Sequence, residues 1–334
     1  MKILFYDIKE FELNFLLENI PENIEPYFFK TRLNESSYID EKFLNTEAIS
    51  VFVSSVLNEK VLSKFKNLKF IFLRSVGYSN IDLEYCKKQG IYVFNTPNYG
   101  NFTVAEYAFA LLLSLGRKII ESKNSLSDGL IEKTNLMGIE FQGKTMGVIG
   151  AGAIGRRIIN IAHGFGLEVL VYDINKKGAY NFVEFDELLK KSDFIVISCP
   201  LTKSTRKMFN KGSFSKMKKN SYLINIARGE IVDTKELYLA LINKKIKGAA
   251  LDVIECEEMV CKNWDECEKT DSLKQICLKK YFFIKKLMQM PNVIITPHNA
   301  YNTIEAQTRI LKITLENIHS SFDINYGAKN LVLL

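Results

Sequence analysis

Residues 145–173, TMGVIGAGAIGRRIINIAHGFGLEVLVYD, place a glycine-rich turn between an apolar strand and a helix, and end a second strand on a carboxylate. Gly150 allows a tight turn, Gly152 leaves room for a phosphate close to the backbone, and Gly155 lets the helix lie against its strand. The first N–H groups of the helix carry partial positive charge and face such phosphates. The stretch therefore predicts a βαβ unit that binds a dinucleotide.

The carboxylate of Asp173 indicates which dinucleotide is bound. It follows the third glycine by eighteen positions, where a carboxylate accepts hydrogen bonds from both hydroxyls of a ribose and repels a 2′-phosphate. A glycine-rich string also occurs in ordinary βαβ turns. Here, however, 146–149 and 167–172 have the composition of strands and 153–162 that of a helix, with Gly164 as its stop. NAD is therefore the expected cofactor.

Length and composition favour a cytoplasmic protein of two domains. The 334 residues exceed the usual size of one domain, and the formal charge of +7 is spread along the chain without a nucleic-acid motif. Residues 1–10 carry no charged-then-apolar leader. The longest apolar stretch, Val104–Leu115, contains Glu106 and is too short to cross about 30 Å of hydrocarbon. We expect an anionic small-molecule partner, and neither nucleic acid nor membrane.

The cysteines predict neither a metal site nor a disulfide. They lie at positions 86, 199, 256, 261, 267 and 277, without a CxxC pair and without a histidine beside the last four. Thiols stay reduced in an intracellular enzyme, so we expect no disulfide. A redox switch within 256–277 is the alternative.

Two series of strand-like segments divide the chain. The first series ends at the linker-like Thr96–Asn98 and lies at 3–6, 49–53, 70–73 and 91–94. The second series alternates with helices and lies at 146–150, 168–172, 193–198, 221–226, 248–252 and 293–295. Alternation of this kind predicts a parallel, doubly wound sheet.

The last helix decides how the domains are connected. Asn302 is its expected N-cap, with Glu305 three residues later. Its apolar positions need a surface to cover, and they are Ile304, Leu311, Leu315, Ile318 and Phe322. We predict an α/β fold in which a Rossmann domain, 99–302, is inserted into a smaller flavodoxin-like substrate domain, 1–98 plus 303–334.

Residues 102–122 predict a helix that is apolar on more than one face. One face can pack within its own domain. The second is either buried in the same subunit or contacts a second copy of the chain, and we expect a homodimer.

His298 is the histidine best placed for acid/base chemistry at a carbonyl. It follows the segment 293–295 in the string TPHNA, at the carboxyl end of a strand, where parallel sheets bind ligands. His163 suits the negative end of a helix, and His319 suits an exposed helix face.

Arg228 and Glu257 complete a candidate catalytic set. Arg228, in INIARGE, follows another strand and can form two hydrogen bonds to a carboxylate or keto oxygen, although a surface ion pair is the alternative. Asp252 and Glu257, in LDVIECE, lie at and after a third strand end. A carboxylate hydrogen-bonded to an imidazole raises the imidazole pKa toward working pH.

Together these motifs resemble the D-isomer-specific 2-hydroxyacid dehydrogenase family. The similarity runs from RSVGYSNIDL at 74–83 through NTPNYGNFTVAE at 95–106 to Tyr301. It implies that Arg228 orients the substrate, that His298 is the acid/base, and that Glu257 pairs with it.

The resemblance also implies the binding residues. Val76 and Gly77 would offer backbone N–H groups to the substrate carboxylate, and Tyr99 and Tyr301 would line the substrate site. Ala153 and Ile154 would contact the pyrophosphate beside the three glycines. The remaining implied cofactor contacts are Asp173, Cys199, Pro200, Thr205, Ile226, Ala227, Arg228 and Asp252.

The expected substrate is a short 2-keto acid. Tyr78, Tyr99 and HNAY at 298–301 resemble the D-lactate dehydrogenase branch, which implies reduction of pyruvate to D-lactate. NYGNFTVAE at 98–106 resembles the phosphoglycerate branch equally, and 258–291 form a longer, cysteine-bearing insertion. The alternatives are hydroxypyruvate, glyoxylate or phosphoglycerate chemistry, and a non-enzymatic NADH-sensing corepressor or scaffold.

Overall fold

The computed structural model describes residues 1–127, 129, 136–257, 272–322 and 329–333. The chain divides into two units, one formed by Met1–Tyr99 with Asn302–Leu334 and the other by Gly100–Tyr301. Much of the insertion noted in the sequence, including Cys261 and Cys267, lies outside the described residues.

The strands are short and mainly apolar. In chain order they are β1 (Lys2–Phe5), β2 (Glu25–Phe28), β3 (Ala48–Val51), β4 (Phe70–Leu73), β5 (Tyr92–Phe94), β6 (Thr145–Ile149), β7 (Glu168–Tyr172), β8 (Phe194–Ile197), β9 (Tyr222–Asn225), β10 (Gly248–Leu251), β11 (Val293–Ile295) and β12 (Leu331–Leu333).

The α-helices connect the strands and cover the sheets. They are α1 (Glu10–Asn19), α2 (Glu59–Leu62), α3 (Leu83–Gln89), α4 (Asn101–Gly116), α5 (Ile119–Ser127), α6 (Ala153–Gly164), α7 (Phe185–Lys191), α8 (Lys211–Lys216), α9 (Thr234–Ile242), α10 (Ser272–Met288) and α11 (Ile304–Ser321).

The first unit is a flavodoxin-like sheet with an added edge strand. Its strand order is β12-β5-β4-β3-β1-β2, in which β12 is antiparallel and the other neighbours pair in parallel. Leu16 of α1 and Leu311 and Ile318 of α11 are fully buried on one face. Leu62 and Cys86 are buried on the other. The C-terminal helix thus completes the core of the N-terminal segment.

The second unit is a doubly wound sheet with the order β11-β10-β9-β8-β6-β7, and all neighbours are parallel. Leu112 of α4 and Ile158 of α6 belong to the core on one face. Leu188 of α7, Leu237 of α9 and Ile284 of α10 belong to the core on the other. The predicted fold class is confirmed.

The prediction of one continuous helix over 102–122 is wrong, because the structure has two helices there. Lys118 has a left-handed backbone, with φ of 51°, and separates α4 from α5. Much of the apolar surface of α4 lies in its own unit, because Ala105, Leu112 and Leu115 are buried there. Burial within one subunit therefore accounts for one face of α4, and contact with a second copy stays a prediction.

The N-cap predicted for the last helix is wrong by one residue. The N-cap of α11 is Thr303, whose side chain accepts a hydrogen bond from the Ala306 N–H, whereas Asn302 Oδ1 accepts from the Gln307 side chain. Ile304 at the first turn is 78% exposed, so the apolar face begins later than the sequence pattern indicates.

The expectation that disulfides are absent is also wrong. Cys256 and Cys277 form a disulfide across a sequence separation of 21 residues. Packing of α10 against α9 and β11 brings the second cysteine to the first, and this contact has no local sequence signature. Cys86 and Cys199 are free and buried.

No helix within the described ranges combines the length and the apolar character needed to cross a membrane.

Candidate active site

The predicted site residues of the second unit follow the carboxyl ends of adjacent strands. His298 follows β11, Asp252 and Glu257 follow β10, and Arg228 follows β9. The loop after β8, the glycine turn after β6 and the carboxylate after β7 continue the row. The sheet reverses its winding between β8 and β6, which is where parallel α/β sheets bind ligands.

Close packing accounts for two glycines of the turn. A Cβ at Gly155 would lie 1.9 Å from the carbonyl oxygen of Gly150, so the start of α6 rests directly on the turn. Gly150 itself has φ of 94°, and a Cβ there would lie 2.8 Å from the backbone of Cys199. Both contacts exclude any larger residue.

Gly152 faces open space. It is the N-cap of α6, and a Cβ there would meet no protein atom within 4 Å. The first N–H groups of a helix have no partner inside the helix, so those of Ala153 and Ile154 can bind an anion here. The turn therefore fits a pyrophosphate, as the sequence predicts.

Asp173 lies beside this turn and organises it. Its Oδ2 accepts a hydrogen bond from the Ala151 N–H at 2.6 Å, and its Oδ1 accepts from the Asn175 N–H at 2.7 Å. The carboxylate is half-buried at the end of β7. That position suits hydrogen bonding to a ribose.

The loops after β8 and β9 contribute buried apolar residues at this edge of the sheet. Cys199 is buried, which raises the pKa of its thiol to about 11, so it remains protonated at neutral pH and is unsuited to act as a nucleophile. Thr205 Oγ1 donates to the carbonyl of Pro200 at 2.8 Å and closes the loop. Ile226 and Ala227 are buried directly after β9.

Arg228 projects from a turn that Asn225 stabilises. The buried Asn225 accepts a hydrogen bond from the Ala227 N–H at 3.1 Å and donates to the carbonyl of Arg228 at 2.9 Å. The guanidinium is exposed and donates to the Ala227 carbonyl at 2.6 Å. Gly229 allows this turn to touch the next strand loop, because a Cβ there would lie 2.0 Å from the Ile254 carbonyl carbon.

Asp252 anchors the loop that carries His298. Its carboxylate is 1% exposed and accepts three hydrogen bonds, from Thr296 Oγ1 at 2.6 Å, the Asn299 N–H at 2.8 Å and the Ala300 N–H at 2.9 Å. The His298 N–H donates to the Asp252 carbonyl at 2.8 Å. His298 is held with a left-handed backbone, φ of 51°, which is uncommon for residues other than glycine.

His298 and Glu257 form the central pair of the site. Glu257 Oε2 lies 2.8 Å from His298 Nδ1, and Glu257 Oε1 accepts from the Ile254 N–H at 3.1 Å. The hydrogen bond that Glu257 accepts raises the pKa of His298 above its ordinary value, and burial opposes this effect. The charges of Glu257 and Asp252 raise the pKa further, while nearby Arg228 lowers it. The contact with Glu257 therefore favours the protonated imidazole.

Tyr301 and Tyr99 lie in different units. The Tyr301 ring meets the His298 ring edge-on, with centroids 6.5 Å apart. In the first unit, the carbonyl of Tyr99 accepts a hydrogen bond from Arg309 Nε at 2.7 Å.

Two side chains of the first unit hold carbonyl groups of the loop after β4. Asn95 Nδ2 donates to the Val76 carbonyl at 2.8 Å, and Ser75 Oγ donates to the Gly77 carbonyl at 2.7 Å. Among the described residues, neither the Val76 N–H nor the Gly77 N–H has an acceptor. Both groups can therefore receive an anionic ligand. The fully buried Arg74 fixes the start of the loop through Ser50 Oγ at 3.0 Å.

Three residues of the second unit were not identified from the sequence. Thr296 and Asn225 shape the strand ends through the bonds described above. Glu255 is 2% exposed, accepts hydrogen bonds from the N–H and hydroxyl of Thr234 at 3.0 and 2.8 Å, and pairs with Lys280. Of the two glutamates in LDVIECE, only Glu257 was given a role from the sequence, because no local pattern predicts the contact of Glu255 with Thr234.

The chain is similar to several known proteins. The sequence model of the D-isomer specific 2-hydroxyacid dehydrogenase, NAD binding domain, matches residues 109–300. A D-lactate dehydrogenase of Curvularia clavata is 33% identical over 95% of this chain and 91% of its own length. A hydroxypyruvate reductase of Thermotoga maritima is 36% identical over 79% of this chain and 81% of its own. The crystal structure of an Aquifex aeolicus D-lactate dehydrogenase with NAD and lactic acid has a TM-score of 0.85, with 35% identity and 99% of each chain covered.

Proposed function

Because the chain belongs to the D-isomer-specific 2-hydroxyacid dehydrogenase family, we propose that it reduces pyruvate to D-lactate with NADH. The predictions of the family, of NAD as cofactor and of a dehydrogenase are confirmed. The choice of pyruvate is the proposal. It is supported by the D-lactate dehydrogenases among the relatives and by Tyr78 and Tyr99 in the sequence.

The observation that carries the proposed chemistry is the 2.8 Å contact between His298 Nδ1 and Glu257 Oε2. Since Glu257 occupies Nδ1, Nε2 is the nitrogen that delivers a proton to the keto oxygen. Bound NADH supplies the hydride that reaches C2. Positioned acid catalysis contributes about 10² to 10⁴ in rate, or about 3 to 5 kcal/mol of barrier.

Arg228 holds the charged end of the substrate in this proposal. A guanidinium can form two parallel hydrogen bonds to a carboxylate, or bind the carboxylate and the keto oxygen together. The exposed position of Arg228 after β9 supports this role. The N–H groups of Val76 and Gly77 are assigned as further donors to the carboxylate, and Tyr99 and Tyr301 are assigned as substrate-binding residues of their respective units.

The cofactor contacts run along the strand ends of the second unit. Ala153 and Ile154 donate to the pyrophosphate, and Asp173 accepts from the ribose hydroxyls. The loops after β8, β9 and β10 would hold the nicotinamide end. The residues assigned there are Cys199, Pro200, Thr205, Ile226, Ala227 and Asp252. In this assignment Gly100–Tyr301 is the NAD-binding domain and the other unit is the substrate-binding domain.

A panel of four 2-keto acids tests the substrate. NADH oxidation is followed with pyruvate, glyoxylate, hydroxypyruvate and 2-ketoisocaproate, and the product is resolved on a chiral column. We expect the highest kcat/KM with pyruvate and the D-enantiomer as product. Hydroxypyruvate is the second candidate, because the Thermotoga maritima relative is a hydroxypyruvate reductase. A higher kcat/KM with hydroxypyruvate than with pyruvate would replace the proposal.

The proposed assembly is a homodimer through residues 102–122. Phe102, Ile119 and Ile120 are 51%, 52% and 43% exposed, which is apolar surface that a second copy would cover. Light scattering on the purified chain measures the mass. A monomer at micromolar concentration would contradict the dimer.

A further inference from the structure

The disulfide lies directly beside the central pair of the site. Cys256 immediately precedes Glu257, and its partner Cys277 lies in α10. The proposed acid/base chemistry does not use either sulfur. The bond nevertheless ties the residue before Glu257 to a helix that is firmly packed, because Ile284 and Leu287 of α10 are fully buried.

Glu255 and Cys256 form a turn directly before Glu257, and the backbone at Cys256 decides where each carboxylate points. Cys256 has a left-handed backbone, with φ of 59°. On one side of it Glu255 points into the protein toward Thr234, and on the other Glu257 contacts His298. A left-handed backbone at a side chain with a Cβ persists only where its surroundings hold it.

Helix α10 supplies that restraint twice. Cys277 bonds covalently to Cys256, and Lys280, three residues later on the same face of the helix, pairs with the buried Glu255. Glu257 itself has only the Ile254 N–H and the His298 ring as partners in the described residues. Its position therefore depends on the backbone on either side of it.

We infer that the Cys256–Cys277 disulfide is a positioning link that holds Glu257 against His298, so that the thiol state of this pair controls the acid/base residue. This inference rests on the proposed function for its kinetic consequence. A dithiol reduces the link by exchange: two electrons and two protons pass from the dithiol, which becomes a cyclic disulfide, to give two cysteine thiols. After reduction, the pairing of Glu255 with Lys280 is the remaining restraint that α10 places on the turn.

Only one of the charged groups around His298 is held in place by the disulfide. The groups that act on the imidazole are Glu257 and Asp252 after β10 and Arg228 after β9, with the Tyr301 ring beside it. Asp252 is held by three hydrogen bonds from the 296–300 loop, which do not involve α10. Reduction of the disulfide therefore alters the contribution of Glu257 to the pKa of His298 and leaves the contribution of Asp252 unchanged.

The test compares the oxidised protein, the dithiol-reduced protein and the variants Cys277→Ser and Cys256→Ser. Peptide mapping without reductant first establishes the pairing; free thiols, or a bond from Cys256 to Cys261 or Cys267, would overturn the inference. We expect kcat/KM for pyruvate to fall about tenfold in the reduced protein and equally in both variants, since an ångström-scale misplacement can cost up to about 100-fold. The alkaline limb of the pH profile should move to lower pH.

Two controls separate this inference from other effects. Dithiol should not change the kinetics of Cys277→Ser, which has no link to reduce, and the Kd for NADH should be equal in all forms. NMR titration of the His298 ring reports its pKa without turnover. It therefore measures the effect of the disulfide on that pKa even if no keto acid is reduced. A ring pKa that is identical in the oxidised, reduced and Cys277→Ser forms would refute the positioning role.

Discussion

Replacing Asp252 with asparagine should loosen the loop that carries His298. The carboxylate accepts three hydrogen bonds at 2.6, 2.8 and 2.9 Å, two of them from the backbone N–H groups of Asn299 and Ala300. An amide has one acceptor oxygen. Whichever way it turns, its NH₂ faces at least one of those N–H groups, which then has no acceptor.

The expected loss of stability follows from that count. A hydrogen bond to a charged acceptor contributes about 1.5 to 3 kcal/mol, and at 1% exposure water does not replace it. For a unit of this size the loss corresponds to a Tm lower by about 3 to 12 °C. Because the left-handed backbone of His298 depends on the same anchor, kcat should fall by about 10- to 100-fold.

Calorimetry, steady-state kinetics and fluorescence titration with NADH test Asp252→Asn. Thr296→Val is the matched control, because it removes one hydroxyl donor and keeps both backbone bonds; it should cost about 0.5 to 1.5 kcal/mol. Native Tm and kcat in Asp252→Asn would refute the anchoring role. A weakened Kd for NADH with native kcat would show that Asp252 acts through its proposed cofactor contact and not through the His298 loop.

Three further changes test other parts of the site. The pKa of His298 is raised above 6.5, so kcat/KM for keto-acid reduction should be constant at lower pH and fall as pH rises through the raised pKa. Glu257→Gln should move that fall to lower pH, and an unchanged profile would disprove the pairing. Gly155→Ala brings a Cβ to 1.9 Å from the Gly150 oxygen. It should destabilise the protein by about 1 to 3 kcal/mol and weaken NADH binding, and native affinity would contradict the close packing. Asp173→Ser should lower the Kd for NADPH relative to the Kd for NADH by about tenfold. An unaltered ratio of the two Kd values would contradict the assignment of Asp173 to the ribose.

The sequence predicted those features whose cause is local. Gly150 and Gly155 stand where a Cβ would strike backbone, and such steric needs leave a readable spacing. His298 could be found because it follows an apolar strand in a parallel series, and ligands bind at the carboxyl ends of such strands. The winding of the second sheet followed from the alternation of strands and helices.

Features that depend on distant contacts could not be predicted. The anchor from Asp252 to Ala300 spans 48 residues, and the Cys256–Cys277 bond needs α10 to be docked. Strand β2 was missed because EPYF carries a glutamate and a proline, and it becomes a strand by pairing with β1. Local preference was overridden there by a neighbouring strand.

The rate of NADH oxidation with pyruvate by His298→Gln is the most direct test of the central claim. Glutamine keeps hydrogen-bonding capacity but cannot transfer the proton, so kcat should fall by about 10² to 10⁴ while the Kd for NADH stays native. Native turnover in His298→Gln would contradict the assignment of the His298–Glu257 pair as the acid/base centre.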